Sequence, residues 1–521
     1  MNALLVHARF PTTYWGFQYS LRFVAKRTSL PPLGLMTLAA LLPEGWSLRL
    51  VDLNLRRLSQ RDLRWADAVL VSGMLVQSES MRQVVERARA AGCRTVVGGP
   101  APTTAPELFA TADVIFQGEA EGRVGDLVAA LERPASWPTL LAPSADSHPS
   151  LDSPVVPRFD LLEVGRYASM SLQFSRGCPF SCEFCDVIEI FGRVPRVKPT
   201  RQVLAELDAV HRTGFRGTLF FVDDNFIGNR RSVRELLPAL RGWQERNGWP
   251  FELYTEASVD LAADPQLTRA MVDAGFASVF VGIETPSREA LADVGKRQNL
   301  GLDLADAVDR LTRSGLEVMG GFIVGFDRDD PGVFQAQRAL IDSLPVPLAM
   351  VGLLSALPGT ALWRRLKREG RLRTAPGGDQ FCRPNFEPSM DEEELLRGYA
   401  ELLRDLYSAD SYYSRCSHYL LRAGAIPPGS MPRGADLAAF LRAVVLVGII
   451  GARRRHFWRL LRQGARLGSA ALRQAVVHAI KGEHMIRYTR DHVLPRIAAA
   501  VEEVARQRLA HSTFASRHGS A

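Results

Sequence analysis

Twice along the chain, short apolar runs alternate with amphipathic helical segments, and a proline-rich stretch separates the two series. A strand followed by a helix and then another strand returns to its sheet in parallel, so each series calls for a parallel sheet faced by helices. The first series has strands at 3–6, 47–52, 68–73, 94–97 and 114–117. The stretch 133–157 carries Pro134, Pro138, Pro143, Pro149, Pro154 and Pro157 and reads as a linker. The second series has strands at 168–175, 218–222, 251–255, 278–283, 321–325 and 348–353. Six such repeats make a partial barrel, and the first series makes an open doubly wound sheet. Both architectures bind ligands beyond the C-terminal ends of their strands. The expected fold is α/β: a Rossmann-like domain over 1–140, a linker over 141–164, a partial (β/α)6 barrel over 165–365 and a mainly helical region over 366–521.

Just past the first strand of the second series comes Arg176-Gly177-Cys178-Pro179-Phe180-Ser181-Cys182-Glu183-Phe184-Cys185. Three of the chain's six cysteines lie here, spaced C-x3-C-x2-C. Clustered thiolates bind a soft metal or an iron–sulfur cluster, and Gly177 and Pro179 suit a tight loop. Structural zinc is normally closed by four protein ligands. Three thiolates on a cubic cluster leave one iron open to chemistry. A zinc site completed by a distant ligand such as Cys382, or a disulfide, is the plainer reading of the same residues.

The spacing, with the aromatic Phe184 before the third cysteine, resembles the signature of the radical S-adenosylmethionine (SAM) superfamily. The resemblance implies that Cys178, Cys182 and Cys185 hold a [4Fe–4S] cluster whose fourth iron chelates SAM. One electron then cleaves SAM to methionine and a 5′-deoxyadenosyl radical, which takes hydrogen from an unactivated carbon. By the same resemblance, Asp223, Asp224 and Asn225 receive the methionine amino group, which needs acceptors. Glu256, Ser258 and Glu284 stand at the next strand ends. Gly321, Ile323 and Gly325 bring backbone against adenine, where glycine permits close approach. Arg193 and Arg196 are placed to pair with the methionine carboxylate.

No G-x-G-x-x-G follows the first strand, which argues against a dinucleotide in the N-terminal sheet. Ahead of a radical SAM motif, that sheet resembles the cobalamin-binding domain of cobalamin-dependent radical SAM enzymes. Ser72, Gly73, Met74, Gln77, Gly98, Gly99, Gly118 and Glu119 fall where that family lines the corrin. Many cobalamin domains offer cobalt a histidine from Asp-x-His-x-x-Gly. Here only Asp146-Ser147-His148 begins such a pattern, Leu151 replaces its glycine, and no histidine ligand is expected.

Residues 363–373 read as a basic helix and 391–423 as a long amphipathic helix or a pair. Over roughly 1–420 the chain resembles the branch that includes the hopanoid C-methylases, through 220–230, 276–284, Lys296-Arg297-Gln298-Asn299 and 320–327. The resemblance implies a cobalamin-dependent radical SAM C-methyltransferase with a small-molecule substrate, such as a hopanoid or another natural product. Its electrons would come from a reductase or a flavodoxin or ferredoxin. A non-methylating cyclisation or rearrangement is the alternative. No catalytic residue is named beyond those holding cofactors, because the cofactors carry the hard steps.

The net charge of +8 is unevenly placed: from Met431 onward 16 Lys/Arg face 5 Asp/Glu, so the tail carries +11 and the rest −3. A basic tail can meet anionic lipid, an acidic partner or, least of these, nucleic acid, and it reads equally as a solvated helical surface. Residues 437–452 are strongly apolar but interrupted by Arg442 and too short for a span of about 20 residues. A buried helix is expected there, with peripheral membrane contact as the alternative. The absence of a signal-like N-terminus and of an even cysteine framework points to the cytoplasm.

Overall fold

The computed structural model describes residues 1–133, 138–143, 148–153, 155–373, 380–424 and 434–518, without the side chains of 435 and 511–518. Pro134 and Pro154 of the linker and Asp146-Ser147 lie outside the described residues. The chain divides into two compact units, one made of Met1–Ser181, Cys185–Val279 and Ile426–Ala439, the other of Cys182–Phe184, Phe280–Ala425 and Phe440–Ala521.

The first unit opens with strands β1 (Asn2–His7), β2 (Ser47–Asp52), β3 (Ala68–Ser72), β4 (Arg94–Gly98), β5 (Val114–Phe116) and β6 (Leu140–Leu141). They form a parallel sheet in the order β2-β1-β3-β4-β5-β6. Helices cover both faces of its centre, so Ala3, Leu4, Leu5 and Val6 of β1 are all fully buried. Edge strand β2 alternates exposed and half-buried residues over its first four positions. On the helix Ser78–Ala90, Met81, Val84, Val85 and Ala88 make one buried stripe at i, i+3, i+4 and i+7. That stripe packs with Val69, Val71 and Val97, and burial of each larger side chain stabilises the sheet by about 2 kcal/mol. The chain leaves β1 for one side of the sheet and returns to the other for β3. The crevice of a doubly wound sheet therefore opens above His7 and Ser72.

Strand β6 falls in the stretch read as linker, where Leu140 and Leu141 pair with Ile115 and Phe116. Two residues among prolines show no period, which is why the sequence does not announce it.

A second six-stranded sheet holds β7 (Ser169–Leu172), then β10 (Gly217–Phe221), β11 (Phe251–Glu256), β12 (Phe276–Glu284), β13 (Glu317–Val324) and β14 (Ala349–Leu353) in consecutive order. The pairs β7–β10, β10–β11 and β13–β14 are parallel. The expected strand 168–175 is cut short at Leu172. Past it, β8 (Ser175–Arg176) turns to pair antiparallel with β9 (Arg196–Val197), and these two short strands bracket the cysteine loop. Asp223 is the cause: its carboxylate accepts from Phe174 N at 3.0 Å, from Ser175 Oγ at 2.6 Å and from Ser175 N. Backbone bonds from Ala168 and Ser169 to Thr28 and Ser29 join this start of the barrel to the N-terminal segment.

In the second unit, the region expected as one helix or two is a pair, Glu392–Leu406 and Ala409–Arg422, with Ser408 capping the second through Ser411 N. Tyr399 and Tyr407 donate their hydroxyls to Val351 O and Ala349 O on edge strand β14. The apolar stretch 437–452 corrects an expectation. It forms the helix Gly434–Ala443 and the π-helical turns Val444–Ile449, but Leu437, Leu441, Val445, Ile449 and Ile450 are exposed. Only its small and alternate residues, Ala439, Ala443, Val447 and Gly448, are buried. Among the described residues no helix is long and apolar enough to cross a membrane.

Candidate functional site

At the C-terminal edge of the first sheet, His7, Ser72 and Gly98 stand in register on adjacent strands. Gly99 has φ +94°, and a Cβ there would stand 2.5 Å from Ser72 Oγ, so this turn admits only glycine. Thr103 Oγ1 donates to Gly99 O at 2.8 Å and accepts from Gly118 N at 2.9 Å, locking two neighbouring turns together. A Cβ on Gly73 would press on Met81 Sδ at 3.0 Å, and the Met74 side chain is about half exposed at this edge. The result is a rim of bare backbone, which suits a broad flat cofactor such as cobalamin better than a side-chain-lined pocket would.

Two residues expected on that rim are engaged elsewhere. Gln77 is buried, accepts from Met74 N at 2.8 Å and donates to Ala8 O at 2.5 Å. Glu119 is buried and accepts from Arg176 at 2.5 Å and from Arg196 at 2.7 Å, with His148 Nδ1 at 3.4 Å. Arg176 also holds Glu121 at 2.7 Å. Arg196, read as a partner for the methionine carboxylate, is therefore committed to Glu119 and to the carbonyls of Pro149 and Phe191. Arg193 is exposed. His7, the nearest histidine to the rim, lies 3.4 Å from Asp52.

None of the six cysteines is in a disulfide, which removes one reading of the loop. Gly177, at φ +94°, lets the loop close on Gly192 O, to which Cys178 N donates at 3.3 Å. Asn225 Nδ2 donates to Cys178 Sγ at 3.9 Å. In the second unit Gln298 Nε2 donates to buried Cys182 Sγ at 3.6 Å. Amide donors aimed at thiolates fit a cluster, whose sulfurs accept such bonds. Among the described residues no three His, Cys, Asp or Glu are gathered as ligands of a single ion.

The first unit also holds a set of carboxylates at the ends of β10 and β11. Asp223 is fully enclosed and spent on the loop backbone, and burial pushes it up to about 6. Asp224 keeps one buried oxygen without a hydrogen-bond partner. Burial first, then the Asp223 charge, pushes Asp224 up to about 7. Glu256 is pushed up to about 8 by burial and by both aspartates. An ammonium or sulfonium group brought here would relieve that repulsion, which is what SAM carries. Asn225 and Ser258 bond each other, Ser258 N donating to Asn225 Oδ1 at 3.2 Å.

In the second unit, Glu284 ends β12 in a left-handed conformation, φ +69°, unusual for a residue with a side chain. Lys296 Nζ holds its carboxylate at 2.6 Å, and Gln337 donates to its carbonyl at 3.0 Å. A Cβ on Gly321 would stand 2.6 Å from the Phe280 ring, and Asp329 accepts from Gly325 N at 2.7 Å. Phe184, the aromatic of the cysteine motif, packs against Phe326 with ring centroids 6.1 Å apart and has Lys296 above it. Ile323 is half-buried beside Phe326. Lys296 and Gln298 were assigned no role from the sequence. Their signal is the tetrapeptide Lys296-Arg297-Gln298-Asn299 in the loop after a barrel strand, which carries part of the family resemblance without assigning these two a task.

Three family models match the chain: a B12 binding domain over 24–128, the Radical SAM superfamily over 172–333, and a domain of unknown function, DUF4070, over 360–495. An uncharacterized methyltransferase, sll1242 of Synechocystis sp., is 39% identical over 94% of this chain and 92% of its own length. The hopanoid C-2 methylase of Rhodopseudomonas palustris is 32% identical over 94% of this chain and 93% of its own. Among solved structures, the cobalamin-dependent SAM radical enzyme OxsB shares the fold, with a TM-score of 0.59 at 17% identity over 96% of this chain and 84% of that one. The cofactors are a [4Fe–4S] cluster, SAM and cobalamin. Two domain models in the order the two sheets require, and relatives matched along nearly their whole lengths, lead to one family: the chain belongs to the cobalamin-dependent radical SAM methyltransferases.

Proposed function

We propose that this methyltransferase methylates an unactivated sp3 carbon of a polycyclic terpenoid lipid of the hopanoid class. The observation that carries the reading is the 32% identity to a hopanoid C-2 methylase along nearly the full length of both chains. The barrel interior supports it. Phe220 and Tyr254 stack at 4.6 Å and 6° on adjacent strands, and Tyr254 shares a strand face with Glu256. A flat apolar wall beside the carboxylates suits an apolar ring system rather than a charged substrate.

When bound, the three cofactors supply a strong one-electron reductant, a hydrogen-abstracting radical and a transferable methyl group. The chain's residues have plainer work. Cys178, Cys182 and Cys185 hold the cluster; Asn225 and Gln298 orient two of the three thiolates. Asp224 and Glu256 accept the cationic methionine end of SAM, and Lys296 fixes the Glu284 carboxylate. The glycine turns at 73, 98, 99 and 118 leave backbone against the corrin. Ion pairs from Arg176 and Arg196 to Glu119 tie the first sheet's edge to the strands that flank the cysteine loop. Hydrogen abstraction requires no side-chain base, and none is assigned. The electron donor is a reductase or a flavodoxin or ferredoxin. The protein works in the cytoplasm, whose reducing conditions preserve the cluster, at the membrane that holds such lipids.

Anaerobic incubation of the reconstituted enzyme with SAM, cobalamin, a reductant and a pentacyclic hopanoid tests the reading. S-adenosylhomocysteine and 5′-deoxyadenosine in equal amounts, with a hopanoid heavier by one methylene unit, is the expected result. SAM turnover that leaves the hopanoid unchanged would overturn the substrate, and 5′-deoxyadenosine without S-adenosylhomocysteine would overturn methyl transfer.

A further inference from the structure

Beyond the barrel, the second unit carries an apolar stripe that no part of the described chain covers. Leu441, Val445, Ile449 and Ile450 are 54%, 48%, 57% and 69% exposed. Soluble surfaces carry single exposed apolar residues as a matter of course, whereas a contiguous row marks an interaction site. The row is contiguous for a geometric reason. An α-helix turns about 100° per residue, so a period of four drifts by about 40° at each step. From Val444 to Ile449 the backbone is π-helical, and its wider turns rotate less per residue and take back that drift. Leu437, one step earlier on the same helix, continues the period.

The stripe is joined to a basic helix. Gly448 lies against the rings of Phe457 and Trp458, where a Cβ would meet them at 2.8 and 3.2 Å, and Trp458 Nε1 donates to Gly448 O at 2.9 Å. The helix Arg454–Leu467 therefore packs directly on the π-helical turns. Trp458 is itself 38% exposed, and Arg454 and Arg462 sit one turn before and after it on the same helix face. Arg442, Arg455 and Arg459 are also exposed. From Gly434 to Leu467 the one acidic residue is Asp436, against seven arginines. A protein partner could offer apolar area alone. Exposed Leu, Val and Ile beside a half-exposed Trp and a one-sided field of arginines match the acyl boundary and phosphate layer of an anionic bilayer.

We propose that the face formed by Leu441, Val445, Ile449, Ile450 and Trp458, flanked by Arg454, Arg455 and Arg462, docks the protein on an anionic lipid bilayer. Docking gives the purpose that a membrane-resident substrate would require, and in that respect alone it rests on the lipid reading above. The attachment itself does not depend on the substrate and is measured without it.

The test is co-sedimentation of the full-length holoenzyme with phosphatidylcholine vesicles and with vesicles in which a third of the lipid is phosphatidylglycerol, neither containing a hopanoid. Binding to the second kind only, weakened by added salt, is expected. Leu441→Gln/Ile449→Gln/Ile450→Gln, all at exposed positions, lowers that affinity by about a hundredfold, and Arg454→Gln and Arg455→Gln lower it about fivefold each. Unchanged SAM cleavage and an unchanged melting temperature show that these variants are folded and loaded. The proposal is overturned if the wild type does not bind phosphatidylglycerol vesicles, or if the triple variant binds as well as the wild type. Sedimentation velocity supplies a third outcome: a wild-type dimer that the triple variant makes monomeric, without vesicle binding, assigns the face to a second copy instead. Vesicle binding without hopanoid methylation would leave the docking face standing and remove the substrate reading; methylation without vesicle binding would do the reverse.

Discussion

Gln298 donates its side-chain amide to Cys182 Sγ at 3.6 Å, and the same loop sends Lys296 to Glu284 at 2.6 Å. One short segment after β12 thus serves Cys182, a cluster ligand in the function proposed above, and a left-handed strand end together. A donor to a thiolate stabilises the more negative, reduced cluster and raises its potential. A net hydrogen bond of about 1 kcal/mol corresponds to about 40 mV in a one-electron couple. Gln298→Leu is expected to lower the cluster potential by about that amount, read by a redox titration followed by electron paramagnetic resonance. An unchanged potential would mean that the amide does not reach the cluster.

Asp224 and Glu256, held near 7 and 8 by burial and mutual repulsion, lie above ordinary carboxylates. The native chain then keeps protons that an unfolded chain has released, so its stability falls as pH rises from about 5 to about 8. SAM, cationic at its sulfonium and ammonium, favours the charged carboxylates. Its affinity is expected to rise with pH across the same window and its binding to release protons. Calorimetry in buffers of different ionisation enthalpy measures that release, and Glu256→Gln reduces it. Binding without proton release would place SAM away from these groups.

Arg176 is nearly buried between Glu119 and Glu121. Burial and the loss of one partner from such a set leave an uncompensated charge, at a cost of about 3 kcal/mol. Arg176→Met is expected to lower the melting temperature of the holoenzyme by several degrees. Arg176→Met combined with Glu121→Gln should recover part of that loss, because the orphaned carboxylate is removed as well. Equal melting temperatures for Arg176→Met and wild type would show that the network contributes nothing to the fold.

His478 is fully buried, 3.7 Å from Glu317, and burial lowers it to about 4. Its folded value lies below its unfolded one, so the unfolded chain takes up the proton first as pH falls. The stability due to neutral His478 is complete above about pH 6.5 and is lost progressively down to about pH 4, amounting to about 3 kcal/mol. Chemical denaturation across that range in wild type and His478→Phe checks it. The variant is expected to show a flatter dependence on pH.

The central strands were largely legible because parallel strands buried on both faces are written as unbroken apolar runs: 68–73 was read to within one residue of β3. Strand ends were off by one to four residues where the strand outlasts the apolar run, as at Glu317 and Glu284. The pair β8–β9 was not legible, since it exists only because Asp223, distant in sequence, captures the backbone of Phe174 and Ser175. Of the residues read as cofactor contacts, Gln77, Glu119, Arg196 and Asp223 proved to be engaged by other parts of the protein. A polar residue at a strand end announces that a bond will be made there without saying with whom.

The sequence by itself determined the two parallel sheets, their order, and a three-thiolate loop at a strand's end, because periodicity and ligand spacing are properties of nearest neighbours along the chain. Tertiary structure decided the rest. It chose which carboxylate keeps an unsatisfied oxygen, which arginines are consumed in ion pairs, and which face of 437–450 stays bare. Each of those outcomes depends on groups brought together from far along the chain, and no local pattern encodes the partner that burial finally supplies.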